Sequence, residues 1–207
     1  VRPISGGGSR HPQAHVWAGS LELSGVVAVS VGALFGSPAF TWTGLILTFG
    51  GAGIYVADLA DVLRRATAGH RPPQAFLTAG AVWLVAGLGF CVGLLCGEPW
   101  GAAAVYVLLV GWVGQMLLGH LHHIGVRLIA TIERGDDDET QPGELLVPAL
   151  SWTCFGLFQA AVAAGALALA FAPALLAAAA SAGLLGWFCA AANAGCAVRR
   201  ARLRPAT

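Results

Sequence analysis

The residues able to do chemistry in this chain are few, and most are histidines. The heptapeptide Gly119-His120-Leu121-His122-His123-Ile124-Gly125 closes an apolar run and places three imidazoles within four positions. Carried on an α-helix, His120 and His123 stand three apart and share a face, whereas His122 points elsewhere. A neutral imidazole is a good ligand for haem iron, copper or zinc, so such a pair is a candidate ligand set. The structural alternative is an interfacial role, with the imidazoles set against the negative end of the helix dipole. His15, Glu22 and Asp58 form a second group. An unpaired carboxylate in lipid costs about 2.5 kcal/mol or more, so Glu22 must face other helices and find a partner, or carry a proton. Asp58 either pairs with Arg64 or Arg65 at the membrane edge or joins His15 and Glu22 as polar support around a cofactor or ion path.

The elements that must position these groups are read from apolar runs. The chain has 207 residues, 57% of them hydrophobic and only 10% charged, with a mean hydropathy of +0.75. Globular domains carry about 25% charge, so this surface is too poor in charge to face water. Six runs approach the roughly 20 residues a helix needs to cross a bilayer: 17–35, 42–62, 76–96, 102–121 (continuing to 132 if the helix is long), 145–170 and 175–198. They lack the alternation of barrel strands, so the fold class expected is an all-α integral membrane bundle of about six transmembrane helices. Residues 1–16 read as a cytoplasmic segment without a signal-peptide core, 17–198 as the membrane domain, and 199–207 as a basic cytoplasmic tail.

All eleven basic residues are Arg, and every one falls before the first run, between the second and third, between the fourth and fifth, or after the sixth. The positive-inside rule assigns that side to the cytoplasm, giving an N-in/C-in topology. The location expected is the plasma membrane of a prokaryotic cell, with the lipid bilayer as the first partner. The cytoplasmic loop 133–144, ERGDDDETQPGE, is a solvated acidic connection or a docking patch for a basic partner, and it lacks the glycine of a calcium-binding loop. Gly89, Gly93 and Gly97 form a four-residue ridge, and Gly32 and Gly36 repeat its spacing. Small residues so spaced pack helices closely, either within the chain or against other membrane subunits. The five cysteines sit in or beside apolar runs, form no CxxC pair, and read as small hydrophobes without a disulfide framework. Walker A, HExxH, GxSxG, dinucleotide and CxxCH motifs are all missing, which excludes a self-contained hydrolase or nucleotide-driven pump. The arginines have no interleaved aromatic platform, so no nucleic acid partner is expected.

The run VYVLLVGWVGQMLLGHLHHIGVRL, with Gly111-Trp112 and Gly119, resembles a recurrent helix of the haem–copper oxidase superfamily. It is similar to the catalytic-subunit-like membrane proteins that include the NnrS-like family and the membrane parts of some copper oxidases. The first run, with Gly19, Leu21, Glu22, Gly25 and Gly32, is similar to another such helix. Ser20 and Tyr106 stand where that pattern carries ligand histidines near the start of a helix. The resemblance therefore implies a half-length or subunit form that has lost a full haem–copper centre. A retained b-type haem would use His120, His123, His122 or His15, and a metal such as copper, ranked second, would use His120 and His123. Three functions follow as expectations: a haem- or metal-binding subunit for electron transfer or sensing, a cofactor-free structural or assembly subunit, and a small-solute or ion transporter using Glu22, Asp58 and His120.

Overall fold

The structure, a computed structural model, describes residues 12–65, 71–135 and 142–203. No strand occurs among them, and six helices are long and apolar enough to cross a membrane: Gln13–Phe35, Pro38–Arg64, Arg71–Leu95, Gly101–Glu133, Pro148–Ala170 and Pro173–Leu203. The chain is a multi-pass membrane protein. Its helices divide between two compact units, one within Val1–Thr67 and the other within Ala68–Thr207. Large apolar side chains such as Leu23, Leu34, Val82, Leu184 and Phe188 are exposed. That pattern is unfavourable in water and ordinary against lipid tails.

The first unit is a hairpin of α1 (Pro12–Phe35) and α2 (Pro38–Arg64). Gly36 ends α1 with φ +61°, a conformation that only glycine adopts without strain. The Ser37 N–H then donates back to the Gly32 carbonyl at 2.8 Å, closing a Schellman-type cap. Pro38 starts α2 at a position where its missing N–H costs nothing. The two helices touch through glycines. A Cβ on Gly44 would lie 2.5 Å from the Val29 nitrogen and 2.6 Å from the Gly25 carbonyl, and one on Gly51 would lie 2.7 Å from the Ala18 carbonyl. Gly32, expected to pair with Gly36 in a ridge, instead packs on Thr41, while Gly36 is spent on the turn.

The second unit begins with α3 (Arg71–Leu95) and continues into a single long helical rod that two π-helical stretches interrupt. The rod runs through α4 (Gly101–Tyr106), a π-helical stretch Val107–Gly114, α5 (Gln115–His120), a second π stretch Leu121–Gly125, and α6 (Val126–Arg134). After the short α7 (Pro142–Leu145), α8 (Pro148–Ala170) and α9 (Leu176–Leu203) complete the unit. The Gly101–Glu133 helix counts 33 residues, roughly 50 Å at 1.5 Å per residue, so it exceeds a hydrocarbon core of about 30 Å. The seam between α3 and the rod runs through Gly80 and Gly87 of α3 and Gly111 and Gly119 of the rod. The expected Gly89–Gly93–Gly97 ridge does a different job. Gly89 has open space beside it, Gly93 seats the Trp100 ring, and Gly97 turns the chain with φ +96°. Trp100 also meets Phe90 and Phe171 edge-on. All five cysteines are free. Cys154 is buried with Phe76, Leu118 and Phe158, as a small hydrophobe would be, whereas Cys96 is exposed in the turn after α3.

Candidate functional site

The three clustered histidines point in different directions. His120 is exposed, His123 is half-buried, and His122 is buried with 5% of its surface accessible. An unbroken α-helix would have grouped His120 with His123. The π stretch Leu121–Gly125 instead pairs residues five apart, lengthens the turn and shifts the phase of every side chain after it. Gly119 sets the approach: a Cβ there would sit 3.2 Å from the Pro73 carbonyl and 3.1 Å from Leu77. With α5 drawn that close to the start of α3, the His122 ring stacks on Phe76 at 5.2 Å between centroids.

The hydrogen bonding of His122 defines its tautomer. Its Nδ1 lies 2.9 Å from the Leu118 carbonyl, which can only accept, so Nδ1 carries the proton and donates it. In the neutral ring Nε2 is then an unprotonated lone pair. It is buried and has no hydrogen-bond partner among the described residues. His120 donates from Nδ1 to the Met116 carbonyl at 2.7 Å in the same manner, but on the exposed side.

His122 borders a cavity of about 270 Å³ formed by the rod, the start of α8's connection and α9, with Leu121, Val126, Leu146, Trp187 and Asn193 among its walls. The lining is apolar apart from His122, Asn193 and the indole N–H of Trp187. Asn193 uses both ends of its amide: its Oδ1 accepts the Val147 N–H at 2.8 Å, and its Nδ2 donates to the Ser151 hydroxyl at 2.8 Å. It thereby ties α9 to the chain entering α8 and holds one wall in place. Arg200, two turns further along α9, donates to the Leu146 carbonyl at 2.6 Å, and Arg202 pairs with Glu133 at 2.9 Å. These contacts fix the end of the rod against α9. Trp187 is 49% exposed at the cavity's edge and meets Phe158 edge-on.

His15, Glu22 and Asp58 belong to the first unit. His15 Nε2 approaches Asp58 Oδ2 at 3.2 Å across the α1–α2 hairpin, with the Asp58 side chain buried and the imidazole largely exposed. Arg65, expected as one partner of Asp58, holds Asp61 at 2.6 Å. Glu22 is half-buried on the face of α1 that meets α2, its Cγ against Gly51. No group of three or more His, Cys, Asp or Glu side chains converges on a metal position among the described residues. Ser20 is exposed, and Tyr106 donates its hydroxyl to the Ala161 carbonyl at 2.9 Å while its ring fills the space beside Gly165.

Sequence reasoning missed several participants. Trp187 and Asn193 lie about seventy residues beyond the histidines and are brought to them only by the α8–α9 hairpin. Asn193 was visible as an isolated amide in the Ala- and Gly-rich last run, and isolated polar residues in such runs find interhelical partners. Gln115 is wholly buried, and neither of its amide atoms has a hydrogen-bond partner among the described residues. No protein-family model matches the chain, and no curated protein or solved structure matches it.

Proposed function

We propose that this chain is a ligand-binding subunit of a prokaryotic cytoplasmic membrane, acting in sensing or electron transfer, and that it holds its bound group at His122. The observation that carries the reading is the His122 ring in the wall of an apolar cavity, its Nδ1 bonded to the Leu118 carbonyl and its Nε2 buried without a partner among the described residues. A buried acceptor left without a partner costs about 1–3 kcal/mol, and a bound group that supplies the partner recovers that cost. The topology that goes with this reading is N-in/C-in, supported by the one-sided distribution of the eleven arginines. It puts the cavity near the cytoplasmic edge of the hydrocarbon, because Asn193 lies within two turns of Arg199 and Arg200.

The resemblance of the fourth run implies a b-type haem, and an imidazole Nε2 of this tautomer is the correct axial donor for haem iron. The cavity walls supply one imidazole and no basic residue to pair with propionates. Its volume of about 270 Å³ lies just below the roughly 300–1,000 Å³ of ligand clefts and cavities. A haem here would need another subunit or lipid to complete its enclosure, whereas a smaller ligand fits within the chain.

The test is to purify the protein in detergent and record native mass spectra together with oxidised and dithionite-reduced visible spectra. A bound group retained by His120→Ala and lost by His122→Ala is the expected result, and a b-type Soret band in that pattern would identify haem. A bound group indifferent to His122, or a folded protein that carries none, overturns the proposal and moves the weight to a cofactor-free structural subunit.

A further inference from the structure

The first unit carries a polar file of its own. His15 and Glu22 stand seven apart on α1, and Tyr55 and Asp58 stand four and seven beyond Gly51 on α2, so each set recurs at whole turns and shares a face. His15 Nε2 meets the buried Asp58 Oδ2 at 3.2 Å at one end of the file. Glu22 forms the other end. A Cβ on Gly51 would lie 2.7 Å from the Glu22 Cγ, so glycine there leaves room for that stem against α2. A helical side chain leans toward the start of its own helix. On α1 that carries the Glu22 carboxyl toward Tyr55, which lies within its electrostatic range. Glu22 makes no ion pair among the described residues: His15 is engaged by Asp58, and Arg65 holds Asp61 at 2.6 Å. Arg64 stands thirteen residues beyond Gly51, roughly 20 Å along α2 at 1.5 Å per residue. A metal ion would find no group of three or more His, Cys, Asp or Glu side chains among the described residues. Glu22 lies nine residues into the span that starts at Gln13. It is half-buried, and Trp17, Leu23 and Val26 near it are exposed, so the carboxyl borders the apolar surface of the hairpin. An ionised carboxylate is costly in such a place. A proton removes the charge, and the neutral carboxyl then needs only a neutral hydrogen-bonding group, which the Tyr55 hydroxyl is.

We infer that Glu22 is a proton-binding site inside the membrane span, occupied by its proton when α1 and α2 are packed, with Tyr55 as its neutral neighbour. The proton adds to one carboxylate oxygen from water and returns to water on release, with no other bond changed. Release leaves a carboxylate against α2 without a cation, so proton binding and closure of the hairpin favour each other. The site belongs to the first unit and is independent of any group held at His122.

The test uses the full chain in nanodiscs and dicyclohexylcarbodiimide, a lipid-soluble reagent that modifies protonated carboxyls in apolar surroundings, with each site read by peptide mass spectrometry. At neutral pH Glu22 should be modified about tenfold faster, or more, than Glu98, which is exposed in the turn after α3. The reaction follows the protonated fraction, and an exposed carboxylate is almost wholly ionised at that pH. Raising the pH should slow the reaction at Glu22, and exchanging choline for sodium at constant ionic strength should leave it unchanged. Modification no faster than at Glu98 overturns the inference. Protection by sodium overturns it too, since the site would then be one for a metal cation. The infrared spectrum gives a reading without a reagent: the C=O band of a protonated carboxyl should be present at neutral pH and weaken in Glu22→Gln. A spectrum that the substitution leaves unchanged counts against the inference as decisively. Because the labelling is done on the wild-type protein, a variant that fails to fold does not blunt it.

Discussion

Replacing Asn193 by Ala should cost about 2 kcal/mol of stability, and the size of that loss follows from what the amide holds. Asn193 is 1% exposed and makes two bonds to a different helix segment, one from the Val147 N–H and one to the Ser151 hydroxyl. Interhelical hydrogen bonds in membrane proteins are worth about 0.6 kcal/mol on average and up to about 1.7. Truncation also leaves the Val147 N–H without its acceptor, and an orphaned donor adds about 1 kcal/mol or more. Ser151→Ala removes only the second bond and should cost about 0.6 kcal/mol. The assay is thermal or SDS unfolding of the detergent-solubilised protein for the two single variants and the double variant. The two sites should couple by about 0.6 kcal/mol, the value of the bond they share. Because Asn193 holds one wall of the cavity, its loss should also shift Trp187 emission, whereas Ser151→Ala should not. Equal costs for the two single variants, or no coupling between them, would refute the reasoning, since it assigns Asn193 two partners and Ser151 one of them.

Gly44→Ala should destabilise the α1–α2 hairpin by about 1–3 kcal/mol, because its Cβ would overpack the backbone of α1, and unfolding of Gly53→Ala gives the control. Gly53 has nothing within 4 Å, so there the change should only add helix propensity, up to about 1 kcal/mol; equal effects at the two positions would contradict the glycine seam. Gln115→Met should raise the melting temperature, since it replaces an amide with two buried orphaned atoms by an apolar side chain of similar shape. A fall would mean that the amide has a partner in the membrane. Under the N-in/C-in topology, an impermeant maleimide should label intact cells at the exposed Cys96, and Cys96→Ser should abolish that label; labelling only after permeabilisation would reverse the orientation.

The sequence by itself determined the solvent and the elements. Apolar runs of bilayer length imply helices whatever their neighbours, because a backbone in lipid must satisfy its own hydrogen bonds. Six such helices are present, although their ends differ from the runs: the first three begin earlier, at Gln13, Pro38 and Arg71, and the fifth begins at Pro148, after the separate turn of α7. The histidine cluster was equally legible as the place to look, because ionisable groups at membrane depth are costly. Which histidine faces inward was not legible. A heptapeptide read on a regular helix groups His120 with His123, whereas in the structure the segment is a π stretch and His122 stacks on Phe76 of α3. Glycine ridges misled for the same reason. Four-residue spacing says that a helix can be approached closely, and only the tertiary structure decides whether a helix, an indole ring or a turn makes use of it, as Gly87, Gly93 and Gly97 of one segment show. The cavity belongs wholly to that second level, because its walls come from residues far apart in the chain, and no pairwise rule of sequence spacing reaches across the α8–α9 hairpin that joins them.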